Sequence, residues 1–117
     1  MASTHPDFVD LHAYPIPNDL TLAQIVQNYG FVGTGSQQQK PVIMAEFGGF
    51  LSEYGSAAAA ASGLANWQIQ SCTYNFKGWL LWTWDTDEQP ELWNVLSGGG
   101  AINQSLAPAS RSNPCSP

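Results

Sequence analysis

The stretch Lys40-Pro41-Val42-Ile43-Met44-Ala45-Glu46-Phe47-Gly48-Gly49-Phe50 runs an apolar segment straight into one glutamate and then two glycines. Bounded by Pro41 and Gly48, such a run reads as a strand buried on both faces. Strands of that kind belong to parallel sheets covered by helices. A glutamate at the carboxyl end of one stands where α/β folds gather ligands and reactive groups.

Working outward, two further runs have the same character. Asp7 to Tyr14 is strand-like and is closed by Pro15 and Pro17. Gly78 to Trp84 is an aromatic and apolar run followed by the acid-rich loop Asp85 to Glu91. Between the first and second runs, Asn18 or Asp19 is placed to cap a helix over 20–28, with Gly30 as its stop. Residues 33–39 read as loop. Between the second and third, Ser56 opens an alanine-rich helix through Ile69, weakened a little by Gly63. Gly98-Gly99-Gly100 interrupts the chain before a short helix over 101–106.

The order strand, helix, strand, helix, strand, short helix predicts a parallel sheet with right-handed crossovers. The strands recur about every 35 residues, close to the unit length of a (β/α)₈ barrel. The expected fold class is therefore α/β, a partial (β/α)₈ (TIM) barrel of three βα units, over residues 1–107. Residues 108–117 form a Pro- and Ser-rich tail. Three units cannot close a barrel. Open edges and apolar faces then predict either a larger fold or self-association into a homo-oligomer.

Composition narrows the function. The chain has 117 residues, 44% hydrophobic and 12% aromatic, which is enough for one packed domain. Only 10% of residues are charged, and the formal net charge is −6. That balance repels phosphate backbones and argues against nucleic acid as a partner. No basic amphipathic stretch suggests a membrane surface, and no window has the apolar length of a membrane span. The first residues lack the basic and apolar regions of a signal peptide. Cys72 and Cys115 either pair, as an oxidising compartment favours, or stay as free thiols; their spacing does not suggest a zinc site.

Strand alternation puts Asp10, His12 and Tyr14 on one face of the first run, Met44 and Glu46 on one face of the second, and Leu80, Trp82 and Trp84 on one face of the third. Polar and aromatic members gather toward the carboxyl ends, which suits a pocket better than a core. Each has a plainer reading. Glu46 can cap a helix or pair with Lys40 or Lys77, His12 can be a hydrogen-bonded core histidine, and Tyr14 can be structural. Trp79 points to the face opposite Trp82 and packs on a helix, and the acidic run can be a solvated loop.

Together these residues resemble a known family. The run from Pro41 to Gly48 is similar to the seventh barrel strand of retaining glycoside hydrolases of the cellulase family, glycoside hydrolase family 5. His12-Ala13-Tyr14 resembles the His-x-Tyr that ends its sixth strand. Gly78-Trp79-Leu80-Leu81-Trp82 resembles its eighth. The resemblance implies hydrolysis of β-glycosidic bonds in an oligo- or polysaccharide, with Glu46 as nucleophile. His12 and Tyr14 would line the site, and Trp82 would offer aromatic surface to the sugar; Trp84 and Trp93, by the residues alone, can either pack in the loop or stack on sugar. It implies no metal and no organic cofactor, and it suggests a secreted protein.

The chain departs from the family in lacking the first five strands. With them go the Asn-Glu pair that carries the acid/base and the arginine beside the nucleophile. A retaining mechanism needs two carboxyl groups about 5–5.5 Å apart. Glu88 or Asp85, on the loop after the third strand, is the expected substitute acid; Asp10 has the right parity but lies deeper in the pleat. The alternatives are a carbohydrate-binding remnant without turnover, and a structural fragment that folds only by self-association.

Overall fold

The computed structural model describes residues 7–19, 21–30, 40–84, 87–109 and 113–116. In chain order the elements are β1 (Val9–His12), α1 (Leu22–Asn28), β2 (Val42–Phe47), β3 (Gly49–Phe50), α2 (Ala57–Ser71), β4 (Phe76–Leu81), β5 (Leu92–Trp93) and α3 (Ser97–Leu106). A 3₁₀ turn over Cys72–Tyr74 joins α2 to β4.

The apolar run around Met44 forms the centre of the sheet. β2 pairs with β1 on one side and β4 on the other, both in parallel, giving the order β1-β2-β4. β3 and β5 make a separate antiparallel ribbon of two residues each, which the sequence reading did not contain. The result is a mixed α/β unit with a three-stranded parallel sheet and three helices among the described residues.

Helix α2 forms because its small and apolar residues recur at helical spacing. Ala57, Ala60, Ala61, Leu64, Trp67, Gln68 and Ser71 are its buried residues. Ser56 caps it, accepting from Ala59 N at 3.1 Å. Gly63 stays inside the helix for a packing reason. A Cβ there would fall 2.4 Å from the Tyr54 hydroxyl, so the missing side chain makes room for that ring. Helix α1 begins two residues later than expected and is capped by Thr21 rather than Asn18 or Asp19. Thr21 Oγ1 accepts from Gln24 N at 3.2 Å, and Gln24 Oε1 accepts from Thr21 N at 2.8 Å, a reciprocal capping box. Asn18 instead takes a left-handed backbone, with φ 64°. In α3, Gly98, Gly99 and Gly100 all have positive φ, so the right-handed helix is resumed only from Ala101.

The core joins Leu11, Val42, Met44, Phe47 and Phe76 of the sheet to Val26, Leu64, Trp67 and Ile102 of the helices. The sheet is not buried equally on both faces, as the apolar run of β2 had suggested. Val42, Met44 and Phe47 are buried, while Ile43, Ala45 and Glu46 are half-buried. β4 also starts earlier and ends earlier than read from sequence, at Leu81, so Trp82 to Trp84 lie beyond the strand.

Cys72 and Cys115 pair, which ties the Pro- and Ser-rich tail to the end of α2. The bond spans a sequence separation of 43 residues. In the chain-entropy account a loop of that size is worth about 4 kcal/mol, with measured values of about 2–4 kcal/mol. Reduction, or Cys115→Ser, is therefore expected to lower the unfolding free energy by about 2–4 kcal/mol in a urea titration followed by circular dichroism. A change below about 1 kcal/mol would mean that the tail does not constrain the unfolded chain.

Candidate functional site at the carboxyl end of the sheet

Parallel pairing brings the carboxyl ends of β1 and β2 together. His12 is the register partner of Glu46, and Ala13 N donates to the Glu46 carbonyl at 3.0 Å. Tyr14 is carried just past the strand end. Its hydroxyl donates to Glu46 Oε1. Glu46 Oε2 lies 3.2 Å from His12 Nδ1. The Glu46 carboxylate is thus held between an imidazole and a phenol, with 28% of its side chain still exposed. The Tyr14 ring packs against Phe50, centroids 5.1 Å apart, so the ribbon after β2 steadies the hydroxyl.

Simple alternation does not account for where Glu46 points. Met44 is in the core, yet Glu46, two residues on, meets His12 and Tyr14 outside it. The pairing register shifts between Leu11 and His12 against β2, and between Met44 and Phe47 against β4. Irregularities of this kind re-aim side chains at strand ends. They break the expected sharing of a face by Met44 and Glu46.

A second carboxylate joins the cluster. Asp10 Oδ1 lies 3.3 Å from His12 Nε2, on the side of the ring away from Glu46. A neutral imidazole has one N–H donor and one acceptor nitrogen and serves one carboxylate; the imidazolium serves both. One imidazole thus stands between the two carboxylates, with Asp10 on its Nε2 side and Glu46 on its Nδ1 side. Parity placed Asp10 on this face; its contact with His12 had no signal in the sequence.

Trp82 sits next to the cluster through its backbone. Its N–H donates to the Phe47 carbonyl at 2.8 Å, and the Trp82–Thr83 peptide is cis. The Trp82 indole N–H donates to Gln89 Oε1, and Gln89 Nε2 donates to Glu91 Oε1 at 3.0 Å. Gln89, which sequence reasoning passed over, therefore ties the acidic loop to the aromatic residue. Glu88 is exposed on that loop, and the contacts at Glu46 come from His12 and Tyr14 instead. Asp85 lies outside the described residues. Trp84 is 66% exposed and lines a cavity of about 330 Å³ with Phe47, Trp79 and Val95. A larger cavity, of about 470 Å³, lies between the loop after β1 and α2, lined by Pro15, Asn18, Tyr54 and Trp67. Glu46 lines neither of these two cavities. No group of three or more metal-ligating side chains suited to an ion occurs among the described residues. No helix among them is long and apolar enough to cross a membrane.

Burial, followed by the hydrogen bond to Glu46 and the charge of that carboxylate, pushes the Tyr14 phenol above its ordinary range. Tyr14 therefore remains a donor to Glu46 throughout neutral pH. A group whose folded pKa is raised contributes stability that is fully present below its unfolded value, about 10 for tyrosine, and lost as pH rises through the folded value. Phenolate absorbance is expected to show late-ionising tyrosines, since burial and Glu53 also raise Tyr54. Tyr14→Phe should remove one late step. A titration in which that variant loses an ordinary step instead would contradict the burial of the phenol.

Comparisons against family models, curated proteins and solved structures each return no match. The class defined by fold and site is thus a mixed α/β protein with a His–Glu–Tyr cluster, flanked by Asp10, at the carboxyl end of a parallel sheet.

Proposed function

We propose that the chain is a partial-barrel glycosidase that cleaves β-glycosidic bonds, with Glu46 as nucleophile. The observation that supports this best is the setting of Glu46 at the carboxyl end of the central parallel strand. Tyr14 donates to one of its oxygens and His12 lies against the other. A nucleophilic carboxylate must be ionised, aimed and partly exposed, and these contacts supply aim while leaving access. Tyr14 and His12 orient Glu46 or the sugar. Trp82 supplies an aromatic face beside the reacting ring, held by Gln89.

In the retaining reaction Glu46 attacks the anomeric carbon, and a second carboxyl protonates the leaving oxygen and then activates water. Glu88, on the loop that Gln89 anchors to Trp82, is the proton donor in this reading, with Asp85 as its neighbour in sequence. Asp10 orients His12. The Cys72–Cys115 bond suits a secreted protein. Product stereochemistry is the test. Proton NMR of a β-glycoside digest should show the β-anomer first. First appearance of the α-anomer would reject Glu46 as nucleophile and point to Glu46 and Asp10 as an inverting pair.

The reading as a carbohydrate-binding remnant draws on a specific feature: His12 and Tyr14 contact the two Glu46 oxygens, and among the described residues no carboxylate is recorded against Glu46. It expects sugar-dependent tryptophan quenching without turnover.

A further inference from the structure

The sheet has two edges that pair on one side only among the described residues. β4 pairs only with β2, and β1 pairs only with β2. A strand edge left in this state is a template for another strand. Because all three strands are parallel, the outer edge of β4 and the outer edge of β1 match under simple translation. A second copy can set its β1 beside β4 and continue the sheet with the same polarity.

Apolar surface follows both edges. Leu80, on β4, is 60% exposed, and Phe8, just before β1, is 52% exposed. Strand alternation puts Phe8 on the face of Asp10 and His12, and Leu80 on the face of Gly78. Beside β4, the cavity that contains Trp84 is also lined by Trp79, Leu81 and Leu106. Gln68 reaches this cavity at 5% exposure, and its Oε1 has no hydrogen-bond partner among the described residues. A buried acceptor in that state calls for a donor.

Charge selects which edges meet. Lys77 is exposed on β4, while Asp7 and Asp10 are exposed on or beside β1. Pairing β4 in parallel with another β4 would bring two Lys77 side chains to one level. Pairing β1 in parallel with another β1 would oppose aspartates. Of the parallel pairings, β4 against β1 brings opposite signs together, in a chain whose net charge of −6 otherwise repels its copies.

We propose that the open edge of β4 docks the β1 edge of a second copy, building a parallel, head-to-tail intermolecular sheet. The contact is heterologous, so assembly continues to a ring or a short filament. This goes beyond the glycosidase reading and does not depend on it.

Sedimentation velocity of the full chain at low salt tests it. The wild type should gain mass with concentration across the micromolar range. Lys77→Glu and Asp7→Lys should each raise the concentration at half-association by about tenfold or more, by placing like charges across the contact. Combined on one chain, the two changes should restore association, because the contact then regains opposite signs. Circular dichroism of the exposed-site variants checks that each is folded. A wild type that stays monomeric at several hundred micromolar overturns the proposal. So do single variants that associate like the wild type, or a double variant that stays dissociated. The last result would favour an isologous contact or a different partner for the edge.

Discussion

Glu46→Gln is expected to lower kcat/KM on an activated β-glycoside by about a thousandfold or more, which is about 4 kcal/mol of transition-state stabilisation. Glutamine keeps the volume of the side chain and can still accept from Tyr14 through its carbonyl. The fold and the aromatic surface at Trp82 should therefore persist, and sugar-dependent tryptophan fluorescence should be unchanged. What is lost is the charge and the nucleophilic oxygen pair. His12 would face an amide in place of a carboxylate, while Asp10 on its other side would be unaltered. Steady-state rates across substrate concentration separate the outcomes. A fall in kcat with KM nearly constant marks a group that acts in the transition state. A rise in KM alone would make Glu46 a binding residue and favour the remnant without turnover.

The second large effect is on the backbone. Gly48→Ala is expected to cost about 3 kcal/mol or more, lowering Tm by more than about 10 °C for a unit of this size. A Cβ at this position would fall 2.2 Å from the Trp82 carbonyl oxygen and 3.3 Å from Cε1 of the Tyr14 ring. The first neighbour is main chain, fixed by the donation of Trp82 N to Phe47, and cannot turn aside. Relief must come from parting β2 from the segment after β4, or from moving Tyr14 off Glu46. Either route should lower activity along with stability. Gly55→Ala is the matched control: its Cβ would meet nothing within 4 Å among the described residues, so its effect should stay within about 0.5 kcal/mol. Thermal unfolding of the two variants side by side checks the expectation. Equal Tm values would show that the close approach at Gly48 is easily relaxed.

The order of the main elements was legible because their patterns are local. An apolar run between Pro41 and Gly48 makes the central strand, and a stripe of alanines with Leu64 and Trp67 makes α2. The convergence of His12, Tyr14 and Glu46 was legible too, since parallel strands deliver their ends to one side. What depended on register was not. The shifts beside His12 and Met44 separate Glu46 from Met44, and alternation alone cannot reveal them. Asp10 was assigned to the correct face but its contact with His12 depends on a rotamer. Thr21 took the cap from Asn18 and Asp19 because Gln24 completes a box three residues on, a signal present in the sequence and passed over. The two-residue ribbon of β3 and β5 is too short to leave a periodic trace. The pairing of Cys72 with Cys115 depends on where the tail returns, which spacing leaves open.

Covalent trapping tests the central claim most directly. An activated 2-deoxy-2-fluoro-β-glycoside slows breakdown of a glycosyl-enzyme more than its formation. Intact-mass measurement followed by peptide mapping should then show one added sugar, attached to Glu46, and no label in Glu46→Gln. A label on another carboxylate, or none on a preparation that turns over the parent glycoside, would contradict Glu46 as the nucleophile.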